Sequence, residues 1–194
     1  RTLEATDKIL KEGVAKIILI GNEEEINKKA AEGGFDISGA QIVDPETSDR
    51  TQAYIDKFVE LRAKKGMTPE KAKEILHTQY PYHCVMMVKM GDADGMVSGA
   101  CHSTADTLRP CLQILKTKPG TKLVSAFFVM VVPDCDMGEN GTFVFADCGL
   151  NQNPTSEELA AIAQSSAESF KQLVGADPRV AMLSYSTMGL SLIH

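Results

Sequence analysis

The sequence predicts an α/β protein: a three-layer α/β/α domain with a mostly parallel sheet, followed by a second α/β domain. Three observations carry that prediction. Short continuous apolar runs such as Ile17–Ile20 have the look of parallel strands buried on both faces. They alternate with amphipathic, glycine-terminated segments at helical spacing. The composition then changes at Lys116–Gly120 to turn residues, and the residues beyond Gly120 are rich in β-formers, which marks the start of a second domain. The expected division is 1–117 and 118–194.

Leu3 to Lys11 reads as a helix stopped by Gly13. Ile17–Ile20 is a strand, and Gly21–Asn22 turns the chain into a charged helix over Glu23–Ala31 that Gly33 and Gly34 end. Gln41–Val43 is a weaker strand before Asp44–Pro45. Thr51 to Lys65 forms a strong amphipathic helix, because Tyr54, Ile55, Phe58, Val59 and Leu61 share one broad face, and Gly66 closes it. Thr68 caps the next helix, with Pro69 at its first position, as far as about Gln79. Pro81 interrupts, and His83–Met90 makes an apolar helix ended by Gly91. Gly95–Ser98 is expected as a strand leading into a helix over Thr107–Lys116. In the second part, Leu123–Val132 and Thr142–Phe145 flank the hairpin signal Gly138–Gly141. Thr155 and Glu158 form a capping box for a long helix to about Val174. Asp177–Pro178 is expected to end it, with a further strand over Val180–Ser184.

Charge and composition exclude several functions. A net charge of −6 over 194 residues, with no basic stripe interleaved with aromatics, argues against nucleic-acid or acidic-membrane partners. No apolar run approaches the roughly 18 residues of a membrane span. The chain opens on a charged amphipathic stretch rather than a secretory leader. The five cysteines (Cys84, Cys101, Cys111, Cys135 and Cys148) are odd in number and lack C-x-x-C spacing. This fits reduced thiols of a cytoplasmic protein better than disulfides or a zinc site. Cys135 stands apart because it comes directly after Pro133–Asp134 at a strand end, where sites in α/β folds gather.

The stretch Gly95–Pro110, GMVSGACHSTADTLRP, concentrates the candidate chemistry. Ser98, Gly99 and Ala100 make a small-residue turn that admits a ligand close to the backbone. Ser103, Thr104 and Thr107 offer hydroxyls either to a helix N-terminus or to phosphate oxygens. Arg109, expected in that helix's first turn, adds a planar forked donor. Together these make an anion site. An ordinary strand-to-helix connection with a surface arginine fits the same pattern, and the residues alone do not choose. Asp106 either caps the helix or orients Arg109. His102 has no Ser-His-Asp spacing around it and reads as a structural histidine, while His77 and His83 read as surface or packing residues. Arg62 looks like a charge on a solvated helix face.

GMVSGACHSTADTLRP closely resembles the signature stretch of the phosphate acetyltransferase (phosphotransacetylase) family. So do Phe127–Phe128, Val132–Cys135, Phe145–Cys148 and Val180–Thr187, in the same order. The resemblance implies transfer of an acetyl group between coenzyme A and inorganic phosphate, with acetyl phosphate as the other substrate and no metal or prosthetic group. It implies two α/β domains with a cleft between them, paired as a homodimer. The family's arginine in Asp-Thr-Leu-Arg-Pro falls on Arg109 as an active-site residue, and a second, substrate-binding arginine falls on Arg62. Its thiol-activating aspartate and a Ser-Arg pair lie in a C-terminal segment that no residue here matches. The tail Met188–His194 also departs from the family, whose continuation is lysine, glycine and small residues. The resemblance therefore makes the second domain incomplete, the first domain short of its opening strand and of its C-terminal return, and the chain as given inactive or nearly so. A butyryl-transferring relative, a non-catalytic acetyl-CoA-sensing module and a purely structural fragment are the competing expectations.

Overall fold

The computed structural model describes residues 1–121 and 123–183. Helices mixed with a parallel strand pair make this an α/β fold, and the chain divides into two compact units, Arg1–Lys116 and Thr117–His194.

The first unit begins with α1 (Thr2–Glu12), which ends at Gly13 in the left-handed conformation (φ 66°). Strand β1 (Ile18–Ile20) pairs in parallel with β2 (Gln41–Val43), Leu19 opposite Ile42. Between them runs α2 (Glu23–Gly33), opened by Asn22, whose side chain accepts from the Glu25 N–H. Gly33 lies inside α2, and Gly34 is the left-handed residue that ends it. Helix α3 (Thr51–Arg62) tightens into a 3₁₀ turn, Ala63–Lys65, before Gly66. Helix α4 (Pro69–Thr78) is capped by Thr68. Pro81 does not interrupt the next helix: α5 (Tyr80–Met90) takes it into its first turn, where a missing N–H costs nothing.

The main core of this unit is a helix–helix interface. Tyr54, Ile55 and Phe58 of α3 pack with Leu76 of α4 and with Val85 and Met86 of α5. Val59 and Leu61, expected on the same face of α3, pack against its margin. A second cluster, centred on Leu19, Ala30 and Ile37, joins the strand pair to α2. His83 is fully buried, its ring edge-on to Tyr54 at 5.1 Å, so it is a packing residue rather than a surface one.

Gly95–Ser98 is not a strand. Only Met96 and Val97 are apolar there, between glycines and aspartates, and a strand needs a partner to satisfy its backbone. Val97 is fully exposed.

The second unit holds an antiparallel hairpin, β3 (Phe127–Val131) with β4 (Thr142–Ala146), Val129 opposite Val144. Gly141 adopts φ 79° beside the Val132 carbonyl, and a Cβ there would collide with that oxygen. Helix α7 (Ser156–Val174) packs on β4. It opens with the full capping box, Thr155 accepting from the Glu158 N–H and Glu158 accepting in return. Gly175 ends it in the left-handed conformation, two residues before the expected Asp177. Residues 180–183 form no strand, and Ser184, with the rest of the 180–187 motif and the tail to His194, lies outside the described residues.

Thr155→Ala removes one half of the α7 cap and is expected to cost about 1 kcal/mol. Urea denaturation monitored by circular dichroism would read this as a lower midpoint at unchanged slope. An unchanged midpoint would show that the cap contributes nothing.

Candidate active site

The connection from α5 to the signature stretch is pinned by Asp92. Both its carboxylate oxygens accept from Arg50 Nη2 (2.9 and 2.8 Å), and one also accepts a 2.7 Å bond from the Tyr54 hydroxyl. Arg50 and Tyr54 hold the Asp92 carboxyl below the usual carboxylate range. Burial, with Asp92 next, pushes the Tyr54 phenol up to about 12. The 38 residues separating Asp92 from Tyr54 put this anchor beyond any local sequence signal.

From that anchor the chain runs exposed through Ser98, Gly99 and Ala100. Gly99 has φ 117° and open space where a side chain would be, which leaves its backbone accessible. Ser103 then starts a helix earlier than expected. It accepts from the Asp106 N–H at 3.2 Å and donates to Asp106 Oδ2 at 2.6 Å, so α6 spans Thr104–Pro110. The Ser103 hydroxyl is the main reason the Asp106 carboxyl titrates low, with Arg109 and His102 adding smaller effects. Cys111–Leu115 continues the helix as a π turn.

This beginning moves Arg109 out of the first turn and into the second, so the helix dipole contributes little to it. Its site character rests on its own charge and fork. Arg109 is exposed, and its one ion pair among the described residues is a long one, 3.9 Å to Asp106 Oδ1. Thr104 is exposed at the helix start. Thr107 is half-buried, and its Oγ1 is buried with no hydrogen-bond partner among the described residues. His102 Nδ1 lies 3.4 Å from Cys101 Sγ.

Arg62, the last residue of α3, has its Nε buried without a hydrogen-bond partner among the described residues. It lines a groove of about 280 Å³ between the end of α3 and α4, where Lys65 and Lys71 add positive charge and Glu74 opposes them. Arg109 does not line that groove. The elements that carry the two arginines converge instead on Tyr82 of α5: its ring packs 5.6 Å from that of Phe58, four residues before Arg62, and its hydroxyl bonds Gln113, four residues beyond Arg109. Burial raises the Tyr82 phenol, and the positive charges of Arg109 and Arg62 both act to lower it. The structure thus packs the helical segments that bear Arg62 and Arg109, residues 47 positions apart, against one buried tyrosine.

Tyr82 and its hydrogen-bond partner Gln113 carried no distinguishing mark in the sequence. Gln113 lies four positions beyond Arg109, a helical spacing that was legible; the contacts of Tyr82 with Phe58 and Gln113 depend on packing between distant segments and were not.

Cys135 belongs to the second unit. It is half-buried in the β3–β4 connection, beyond Asp134 at φ 55°, and not on a strand. At the opposite end of the hairpin, burial would raise the Asp147 carboxyl, but bonds from the N–H groups of Gly149 and Leu150 and from Asn151 outweigh it and hold the carboxyl far below the usual range. That carboxylate also accepts from Ser125 and from the Ala126 N–H, so it ties both ends of the hairpin together. Among the described residues, no group of three or more His, Cys, Asp or Glu side chains is placed to hold a metal ion. No helix among them is long and apolar enough to cross a membrane.

Residues 1–192 match the model of the phosphate acetyl/butaryl transferase family. The chain is 55% identical to the phosphate acetyltransferase of Clostridium acetobutylicum, over 97% of this chain and 56% of that protein. It is 57% identical to that of Thermoanaerobacterium thermosaccharolyticum, over 97% and 57%. Among solved structures, the EutD phosphotransacetylase of Staphylococcus aureus superposes with a TM-score of 0.84 at 40% identity, covering 97% of this chain and 55% of that one. A phosphotransacetylase of Streptococcus pyogenes does so at 0.81 and 39%, covering 98% and 55%. The chain therefore spans little more than half the length of the relatives it matches. With nearly all of its residues matched by the family model, it belongs to the phosphate acetyl/butaryl transferase family.

Proposed function

We propose that this chain carries the phosphate side of an acyltransferase site that moves an acetyl group between coenzyme A and inorganic phosphate. The observation that carries the reading is two arginines with donors to spare on segments packed against the same tyrosine, Tyr82: Arg62 has an unpartnered Nε among the described residues, and Arg109 is paired only at 3.9 Å. Two cations with donors to spare are what a dianion requires.

In this reading a coenzyme A thiolate attacks the carbonyl carbon of acetyl phosphate, and the C–O bond to phosphate breaks. Arg109 takes up the charge that grows on the departing phosphate. Arg62 holds the anionic substrate, while Ser103, Thr104 and Thr107, with the backbone at Ser98 and Gly99, offer further donors. Cys135 is proposed as a residue on the coenzyme side. The base that deprotonates the thiol is not among these residues, so the chain alone turns over slowly or not at all. Coenzyme A is a substrate here, and no metal takes part in any step. Relatives named phosphate acetyltransferases, at 55–57% identity, favour acetyl over butyryl transfer. A cytoplasmic homodimer, with the two units as its domains, completes the proposal.

Titration with inorganic phosphate, monitored by ³¹P NMR, tests the binding half of this reading. Saturable broadening of the phosphate resonance, reversed by acetyl phosphate, is expected. A resonance unaffected by the protein would remove the phosphate side from this chain.

A further inference from the structure

Tyr82 touches both elements that bear the arginines. Its ring packs against Phe58 of α3, with centroids 5.6 Å apart, and Arg62 lies one turn further along that helix. Its hydroxyl donates to Gln113 Oε1 at 3.1 Å. Gln113 in turn sits four residues beyond Arg109, on the helical segment that α6 and the π turn make together. Tyr82 is only 6% exposed, so its hydroxyl has few alternatives to this bond. Burial also keeps the phenol protonated and hence a donor at neutral pH.

That bond decides which end of the Gln113 amide remains free. With Oε1 engaged by a donor, Nε2 is the other end, and it can only donate. Among the described residues, Nε2 has no acceptor, and it is not among the buried unsatisfied atoms. An accessible donor that no protein acceptor holds among the described residues, one turn from Arg109 and tied to the tyrosine that packs on the helix ending in Arg62, is suited to a phosphoryl oxygen.

We propose that Gln113 is a third anion donor beside Arg62 and Arg109, and that Tyr82 is its positioning residue. This rests on the phosphate-side reading above. Tyr82 contacts no substrate; it fixes the amide so that nitrogen, not oxygen, faces the anion.

The test is the phosphate affinity of the chain, read by ³¹P NMR for wild type, Tyr82→Phe, Gln113→Leu, the double variant and Gln113→Glu, with thermal melts alongside. Tyr82→Phe keeps the ring packing and loses one neutral hydrogen bond, so affinity falls about 5-fold. Gln113→Leu costs about 10-fold. Because one residue acts through the other, the double variant is no weaker than Gln113→Leu alone. Gln113→Glu keeps an acceptor for Tyr82 but removes the donor, and loses phosphate affinity without a drop in melting temperature, which a merely structural role would not do. Single variants within twofold of wild type, or a double variant weakened by the product of the two effects, would overturn the inference while leaving the phosphate-side reading in place. Absence of phosphate binding by the wild type would overturn that reading, and this inference with it.

Discussion

Arg109→Ala is expected to weaken phosphate binding by about 30-fold. A bidentate bond between guanidinium and phosphate contributes roughly 2 kcal/mol, and nothing nearby replaces it. Arg109 is exposed and paired only at 3.9 Å, so its removal leaves no buried charge behind and the fold intact. Arg109→Lys keeps the charge and loses the fork, so its affinity falls between those of wild type and alanine. Lys64→Ala, on the exposed 3₁₀ turn beyond α3, serves as the control and stays within twofold of wild type. ³¹P titrations of the four proteins check this order. An alanine variant that binds as tightly as wild type would mean that the anion is held elsewhere.

The second large effect concerns stability and comes from His83. Desolvation at its fully buried position lowers the ring from 6.5 to about 4; the Leu76 backbone, near the ring but outside hydrogen-bond geometry, offsets this only in part, and His77 adds slightly to it. Neither ring nitrogen has a hydrogen-bond partner among the described residues. As pH falls, the unfolded chain therefore takes up this proton first. Stability is complete above about 6.5 and declines until pH reaches about 4, below which His83 makes no further difference. The accumulated loss is about 3 kcal/mol. His83→Phe keeps an edge-on ring against Tyr54 and removes two unpaired buried polar atoms, so it flattens the curve in that window and is neutral or stabilising at pH 7. Urea unfolding at a series of pH values reads both effects. A slope between pH 6.5 and 4 that is the same in the variant would assign the acid sensitivity to other groups.

Much of the secondary structure was legible because its signals are local. Asn22, Thr68 and Thr155 each accept a bond from a residue three places on, and Gly13, Gly66 and Gly91 end helices within a turn of the last apolar position. Errors occurred where a competing signal lay close by. Ser103 outranked Thr107 as a cap because Asp106 returns its hydrogen bond; α7 ends at Val174 as expected, but Gly175 stops it rather than Asp177 and Pro178. Gly95–Ser98 failed as a strand because pairing is not a local property. The site divides along the same line. Its phosphate-seeking residue types were visible in one stretch, whereas Arg62 carried no local mark of function. The packing of its helix on Tyr82, through Phe58, exists only once α3 and α5 are together.

The most direct test of the acyltransferase reading is acetyl-CoA formation from acetyl phosphate and coenzyme A. It should be measured for this chain alone and for this chain joined to the C-terminal portion of its Clostridium acetobutylicum relative. The joined protein should turn over, its Arg109→Ala variant should lose most of that activity, and the chain alone should be silent. Equal activity in the joined protein and its Arg109→Ala variant would contradict the role given to Arg109, and rapid turnover by the chain alone would show that the thiol-activating base already lies within these residues.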